Sequence, residues 1–582
     1  MKSELDILSE YYRAELLYLR TAGEDFAHRY PKIAKRLDLL HDESSDPHVE
    51  RLIESFAFLT GKLQKQIDDQ YPEMAHALLN VLYSPLMLPI PSAAMINFDI
   101  DLSRAAKNPG TVVPRHTLLQ ATSHSGTVCT FRTTQDLTLW PLTINHVSIV
   151  EKESIPLAYV DYPKYIKLDL HCHAENISPK KLRFYLNADA LLRGKIFSGI
   201  FSANSNAILI QNNISTKLKE ISPIGLEDDE ALFEFPDNVY KSFRYLQEYF
   251  AFPDKFKGFD VEIDQPLQES FSICIPIRTN DKLDVSSPHF TLTAVPAVNL
   301  FPKVSEPLRL DYKQIEYKLV PDYRRYDSHE IYRILKMVAI DEEINDEAEV
   351  PEFYSCRHFA NKEMDISWIA RRKESMQSFH FGDEVFVSFV DENFNPQQSV
   401  NKVFYAYTLC TNRNVAADIP AHGLFQSELS LPVNKIYCMN RPTPQKNAVK
   451  NGSVLWKLIS ILSLNSLSFA ENGMDKLKEI LRLFSHISGS IFDYEIDAIV
   501  DVKSKVNVKR VLNQSWYGFL HGSDITITVD DKLYNRGIPL SLIISKFLST
   551  HASVNTFVDV HLKSHEGILK TWSTQFGNTP YL

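Results

Sequence analysis

Glycine is scarce in this chain, 18 of 582 residues, and the few present form no phosphate-cradling pattern. Neither G-x-x-x-x-G-K-[ST] nor G-x-G-x-x-G occurs, which excludes the common nucleotide loops. The G-x-S-x-G elbow of serine hydrolases is absent too. Six cysteines, at 129, 172, 274, 356, 410 and 438, make no C-x-x-C pair. Zinc ribbons and disulfide scaffolds are thereby excluded, and the cysteines read as reduced and buried, as in a cytosolic protein. No apolar run approaches the eighteen residues that a membrane-spanning helix needs, so direct membrane insertion is not expected. The opening MKSELDILSEYYRAE lacks the basic start and continuous apolar core of a signal peptide.

Positive charge is also in deficit. The net charge is −11 at pH 7, and the basic clusters are short, as at Arg371-Arg372-Lys373. That excludes the basic stripe of a nucleic-acid binder; such a cluster is read as helix capping or local pairing. The acidic run Asp341 to Glu349 reads as a solvated loop.

What the chain has is ordinary hydrophobic content, 44%, with 34 Phe and 26 Tyr. Its length suggests about four domains at roughly 150 residues each. The fold class expected is multidomain α+β. Residues 1–91 read as amphipathic helices, 92–305 as a β-rich domain with an inserted short helix, 306–445 as a second β-rich domain, and 446–582 as a mixed α/β domain. In the first segment, Leu5, Leu8, Tyr12, Leu16, Leu19 and Phe26 recur at helical spacing. Asp46-Pro47-His48 opens a second helix, with Asp46 as N-cap and Pro47 at the first helical position. Leu52, Phe56, Leu63 and Ile67 stripe it and are candidate interface residues for a helical bundle with a partner subunit. Met74, Leu78, Val81 and Leu82 continue, and Pro85, Pro89 and Pro91 end the segment.

After Ser92, short runs rich in Thr, Val, Ile and aromatics suggest antiparallel strands. VYKSFRYLQEYFAFPDKF is read as a helix ending at Phe252-Pro253. In the last quarter, Met474, Leu477, Leu481 and Phe484 stripe a helix from near Gly473. YEIDAIVDVKSK, VNVKRVL, DITITVDD and TFVDVHL then read as strands. Two helices there, SVLWKLISILSLNSLS and IPLSLIISKFLSTH, carry more apolar residues than one stripe needs, so Trp456, Ile459, Ile543 and Phe547 are candidate interface residues. For Trp456 a core anchor is the favoured alternative.

Candidate chemistry is thin. On a strand His171 and His173 would share a face and Cys172 would take the other, which leaves no closed ligand set. Paired carboxylates such as Asp68-Asp69 and Asp228-Asp229 lie in polar stretches, not apolar pockets. Cys410-Thr411-Asn412-Arg413-Asn414 reads equally as a contact loop or as an Asn-stabilised turn. No catalytic, cofactor-binding or metal residues are assigned, and no cofactor is expected.

Several blocks resemble the TssF family of type VI secretion baseplate subunits. They are YYRAELLYLRTAGEDFAHRYPKIAKRL, DPHVERLIESFAFLTGKLQ and DDQYPEMAHALLNVLYSPLMLPIPS near the start. FRYLQEYFAFPDKF, PAVNLFPKVSEPLRLD, LCTNRNVAADIP, RPTP, LWKLISILSLNSLS and HASVNTF follow in order. The resemblance implies a fold similar to phage baseplate wedge proteins and a structural, non-enzymatic role. It implies two copies of this chain per TssG, with TssK, TssE and the VgrG spike as further partners. It also implies support of the Hcp tube and sheath, in the cytoplasm, on a baseplate docked to the inner-membrane complex. The phage counterpart pairs through its C-terminal part, so contact with another copy of the chain is expected there. The rival classes are a β-rich carbohydrate-processing enzyme and a β-sandwich ligand-binding module.

Overall fold

A computed structural model of the chain describes residues 9, 11–19, 47–70, 72–155, 162–175, 177–203, 206–235, 241–279, 283–310, 314–341, 347–353, 366–375, 382–391, 402–450, 452–462, 473–488, 493–513, 516–530, 534–550, 556–564, 567–572 and 575–576. Two compact units result: 1–87 with 449–463, and 88–448 with 464–582.

The first unit is helical. Pro47–Gln70 forms one helix and Pro72–Tyr83 the next, followed by a single 3-10 turn at Ser84–Met87. Pro47 stands at the first helical position, as expected, because its missing N–H is an orphan there anyway; Asp46, Leu5, Leu8 and Phe26 lie outside the described residues. The helix Gly452–Leu462 belongs to this unit, not to the C-terminal region where the sequence reading put it. Its Leu455, Leu458 and Ile461 are buried, as are Ala75, Leu79 and Tyr83 of the helix it packs against. Apolar residues spaced by three and four find each other across the helix pair, whatever their separation in the chain.

The second unit is built on antiparallel sheets. A closed six-stranded barrel runs in the order Ala93–Ile100, Ala294–Val298, Val128–Thr133, Leu118–Thr122, Leu424–Ser427 and Val433–Cys438. Its interior holds Phe98, Leu119, Phe131, Val295, Phe425 and Ile436. The barrel takes strands from both sides of the boundary expected at 305/306; a β-strand finds its partner by register, and sequence distance costs only slowly growing loop entropy. A second pair of sheets closes around Phe301, Met337, Trp368, Val387 and Phe404. Here the acidic residues Glu347 to Glu349 lie on an edge strand, Glu347–Val350, paired with Met337 to Ile340. A charged edge strand resists pairing with other chains.

The C-terminal sheet pairs Ile499–Asn513 antiparallel with Trp516–Val529, which runs parallel to Thr556–Ser564. The crossover between the parallel strands is the helix Tyr534–Thr550, as a βαβ unit requires. YEIDAIVDVKSK and VNVKRVL are one strand preceded by the short helix Asp493–Asp497. Ile543 and Phe547 are 0% exposed. Phe547 meets Phe243 edge-on at 5.3 Å, and Phe243 stacks on Phe484 at 5.7 Å. The apolar surplus of this helix is absorbed by helices Ser242–Ala251 and Ala190–Ser202 of the same unit. Ile543 and Phe547 therefore cannot be interface residues; they are core.

Candidate functional site

Two kinds of feature stand out among the described residues: an exposed apolar helix face, and buried polar junctions that lock the sheets. The helix Pro47–Gln70 has two different faces. Ala57 and Gly61 are buried, and a Cβ on Gly61 would come within 3.0 Å of the backbone of Tyr12. Glycine is thus required by the close approach of the helix at 11–19. The stripe read from the sequence lies on the other side. Leu52 is 72% exposed, Phe56 54% and Leu63 56%, with Leu59 between them. Ile67 is in the same helix, but its side chain lies outside the described residues. On the helix Pro72–Tyr83, Met74, Leu78, Val81 and Leu82 are exposed as well. Trp456 is also exposed, at 41%, and Ile459 is half-buried, so the core reading of Trp456 gives way: Leu455 and Leu458 took the buried positions. Exposed apolar stripes of this size are characteristic of interaction surfaces.

The first junction lies around FRYLQEYFAFPDKF. Arg183 grips Asp260 with two hydrogen bonds of 2.8 Å and also meets Glu230. Arg244 reaches Asp228 at 2.9 Å and the carbonyls of Leu226 and Glu227, so Asp228 of the Asp228-Asp229 pair serves an ion pair. Lys255 and Glu248 form an ion pair with both side chains 0% exposed. Glu248 also accepts the backbone N–H of Leu232 at 2.8 Å. Burial pulls the Lys255 ammonium below its ordinary pKa, against the opposing pull of Glu248. The Tyr249 hydroxyl donates to Glu495 at 2.8 Å, and burial holds it protonated.

The second junction gathers PAVNLFP, LCTNRNVAADIP and RPTP. Asn412 Oδ1 accepts from the Thr130 backbone N–H at 2.9 Å and from Asn299 Nδ2 at 2.8 Å; Asn412 N–H donates back to Asn299 Oδ1 at 2.6 Å. The Asn412 side chain thus bonds distant residues and not the backbone of its own turn. Arg413 follows with φ +53° and donates to the His329 carbonyl. Beside it, buried Glu330 accepts from Gln445 at 2.8 Å. Gly382, at φ +133°, leaves no room for a Cβ against Glu330 and Arg413. Arg371 and Lys373 lie on a strand and pair with Glu316, while Arg372 reaches the Tyr332 carbonyl; the cluster pairs locally and caps no helix.

His329 is 3% exposed. Its pKa is lowered to about 4, by burial first and then by Lys303 and Arg325. The folded state therefore binds this proton later than the unfolded chain. Its contribution is complete above about pH 6.5 and is lost as the pH falls toward 4, about 3 kcal/mol in full. We expect the stability difference between the wild type and His329→Gln to shrink by that amount between pH 7 and 4, read by urea unfolding at each pH. A difference constant with pH would remove His329 from the acid response.

A crevice of about 190 Å³ is lined by Ala94, Met95, Phe252, Pro253, Asp254, Asn440, Arg441 and Thr443. Its charges are engaged: Asp254 with Arg193 at 2.9 Å and Arg441 with Asp418 at 3.2 Å. Cys129, Cys274 and Cys410 are buried and free, with thiols pushed up to about 12 by burial, far from the thiolate a nucleophile needs; Cys356 lies outside the described residues. His171 and His173 share a face, with rings 4.5 Å apart, and Cys172 is buried. Among the described residues, the one group placed to hold an ion is Asp524, Asp559 and His561. No described helix is long and apolar enough to cross a membrane.

Comparison with known proteins is consistent over the whole length. The family profile described as "Type VI secretion system, TssF" matches residues 5–579. A type VI secretion system component TssF1 from Pseudomonas aeruginosa is 27% identical over 624 aligned positions, covering 99% of each chain. A chain in the cryo-electron microscopy structure of the type VI TssK-TssF-TssG baseplate subcomplex superposes with a TM-score of 0.71 at 22% identity, over 92% of this chain and 100% of that one. A chain of the baseplate complex from the type VI secretion system gives 0.59 at 20% identity, over 99% and 100%.

Proposed function

Because this chain belongs to the type VI secretion system TssF family, we propose that it works as a non-catalytic wedge subunit of the baseplate, through packing surfaces and not through a reactive site. The open stripe Leu52, Phe56, Leu59 and Leu63 carries this reading. A helix that turns its small residues inward and its large apolar residues outward is incomplete without a partner. The partner proposed is a TssG-type subunit, two copies of this chain binding one. TssK, TssE and the VgrG spike are its further neighbours, in a cytoplasmic assembly that supports the Hcp tube and sheath and docks to the inner-membrane complex. Such assemblies transmit rearrangement through bistable interfaces.

The test is co-expression with TssG- and TssK-type subunits. The double variant Phe56→Asp/Leu63→Asp should lose recovery of the TssG-type subunit. Both side chains are more than half exposed, so the variant should remain soluble with unchanged melting. Unchanged recovery with a soluble variant defeats the assignment.

Self-contact through the C-terminal region rests on a different observation. The strands Ile499–Asn513 and Trp516–Val529 pair on beyond the point where Thr556 joins. Val506, Val508 and Phe519 fall on one face of this pair, with Phe519 in the overhang itself, and are exposed. Removing everything after Asn451 would also strip the helix Gly452–Leu462 from the N-terminal unit, so point variants are the cleaner probe. Val506→Asp/Phe519→Asp should give complexes with one copy of this chain by native mass measurement. Two copies would place self-contact elsewhere.

A further inference from the structure

The polar face of the C-terminal sheet carries a chemistry that a wedge role does not require. Asp524 and Asp559 are direct neighbours on the parallel strands, and His561, two residues on, lies on the same face beside Thr526. One ligand atom from each of Asp524, Asp559 and His561 lies within 4.8 Å of the others. Two carboxylates side by side repel each other, and the repulsion grows as water is excluded.

Part of that charge is answered inside the protein. Lys509 pairs with Asp559 Oδ2, and Asn507 donates to Asp524 Oδ2 at 2.7 Å. The other oxygen of each carboxylate is not answered. Asp524 Oδ1 and Asp559 Oδ1 are both buried without a hydrogen-bond partner, and Asp559 as a whole is only 3% exposed. Leaving such acceptors dry is costly. Lys505 stands opposite Asp524 in register but is exposed, so Lys509 is the cation held against the two carboxylates. His561 Nδ1 meets Thr571 Oγ1 at 3.1 Å, a contact that orients the ring and leaves the other nitrogen for a ligand.

We propose that Asp524, Asp559 and His561 bind a divalent first-row cation of the zinc type, which staples the parallel strands Trp516–Val529 and Thr556–Ser564 together. One imidazole nitrogen with two carboxylate oxygens suits such an ion better than magnesium or calcium, which prefer oxygen alone. Ligand atoms around tetrahedral zinc lie about 3.4 Å apart, so small side-chain rotations complete the set, and solvent fills the remaining position. The role is structural: both strands lie in one unit, and the ion answers the two orphaned oxygens together.

The test uses the full-length chain. After chelation and dialysis, zinc chloride is titrated by calorimetry, with magnesium and calcium chloride as separate arms. One zinc per chain is expected, with a rise in melting temperature. Asp524→Asn and His561→Ala, both at half-buried positions, should each weaken zinc at least tenfold. Lys509→Met should retain it, because the lysine is not a ligand. His171→Ala/His173→Ala should bind as the wild type does. Absence of 1:1 zinc binding, affinity unchanged in His561→Ala, or uptake of magnesium in preference to zinc would each overturn the proposal. Loss of zinc in the His171/His173 variant would move the site to that pair and overturn it equally.

Discussion

Lys255→Met should unfold the region around Ser242–Glu262 far more readily than any surface substitution does. Lys255 and Glu248 are wholly buried against each other. Removing the ammonium leaves a carboxylate with no counter-charge in a dry site, a change that costs about 3–5 kcal/mol. The loss should show as native-state hydrogen exchange of the strand Gly258–Glu262 that is faster by two to three orders of magnitude, at roughly 1.4 kcal/mol per factor of ten. Local exchange is the right readout, because a chain of two compact units need not unfold in one step. The double variant Lys255→Met/Glu248→Gln should recover most of the protection. A glutamine carbonyl can still accept the Leu232 N–H, and no charge is left unpaired. If Lys255→Met alone is harmless, the pair is not what holds this junction.

Asn412→Ala should be nearly as damaging, although asparagine to alanine is small in volume. Its side chain receives the Thr130 N–H of the barrel and the Asn299 amide at once. Deleting it strands two buried donors, each costing about 1–3 kcal/mol. A loss of about 3 kcal/mol is expected, seen in urea unfolding as a lower midpoint with the same slope. Asn412→Leu restores the volume without the acceptor and should lose as much as Asn412→Ala. Stability regained in Asn412→Leu would mean that volume, not hydrogen bonding, matters at this position.

Blocks that carry the family resemblance supply these junctions. FRYLQEYFAFPDKF supplies Arg244, Glu248 and Lys255; PAVNLFP supplies Asn299; LCTNRNVAADIP supplies Asn412 and Arg413. Their side chains are engaged with one another inside the chain. They are polar groups that must be buried together, and a buried network tolerates few alternatives, because each member's loss leaves another unsatisfied.

The sequence by itself determined the elements and the class of protein. Helical spacing marked the stripe Leu52, Phe56 and Leu63, proline placed the start of the helix Pro47–Gln70 and the end of Pro72–Tyr83, and alternation marked the strands of the C-terminal sheet. The absence of phosphate loops, nucleophile elbows and cysteine pairs kept catalysis out of the reading, and the ordered blocks pointed to the family. These signals are local: they depend on neighbours one to four residues away. Only the tertiary structure decided which apolar residues are spent inside the chain. Ile543 and Phe547 look as available as Phe56 in sequence, yet they are 0% exposed while Phe56 is 54% exposed. The difference is made by helices more than 290 residues earlier in the chain, at Ser242–Ala251, and by a glycine at 61 that turns one helix face inward. The same holds for the barrel closing across 305/306, for Gly452–Leu462 joining the N-terminal helices, and for Asp524 meeting Asp559 in register. Periodicity states that a face is apolar; what covers it is set by long-range pairing, which no local pattern encodes.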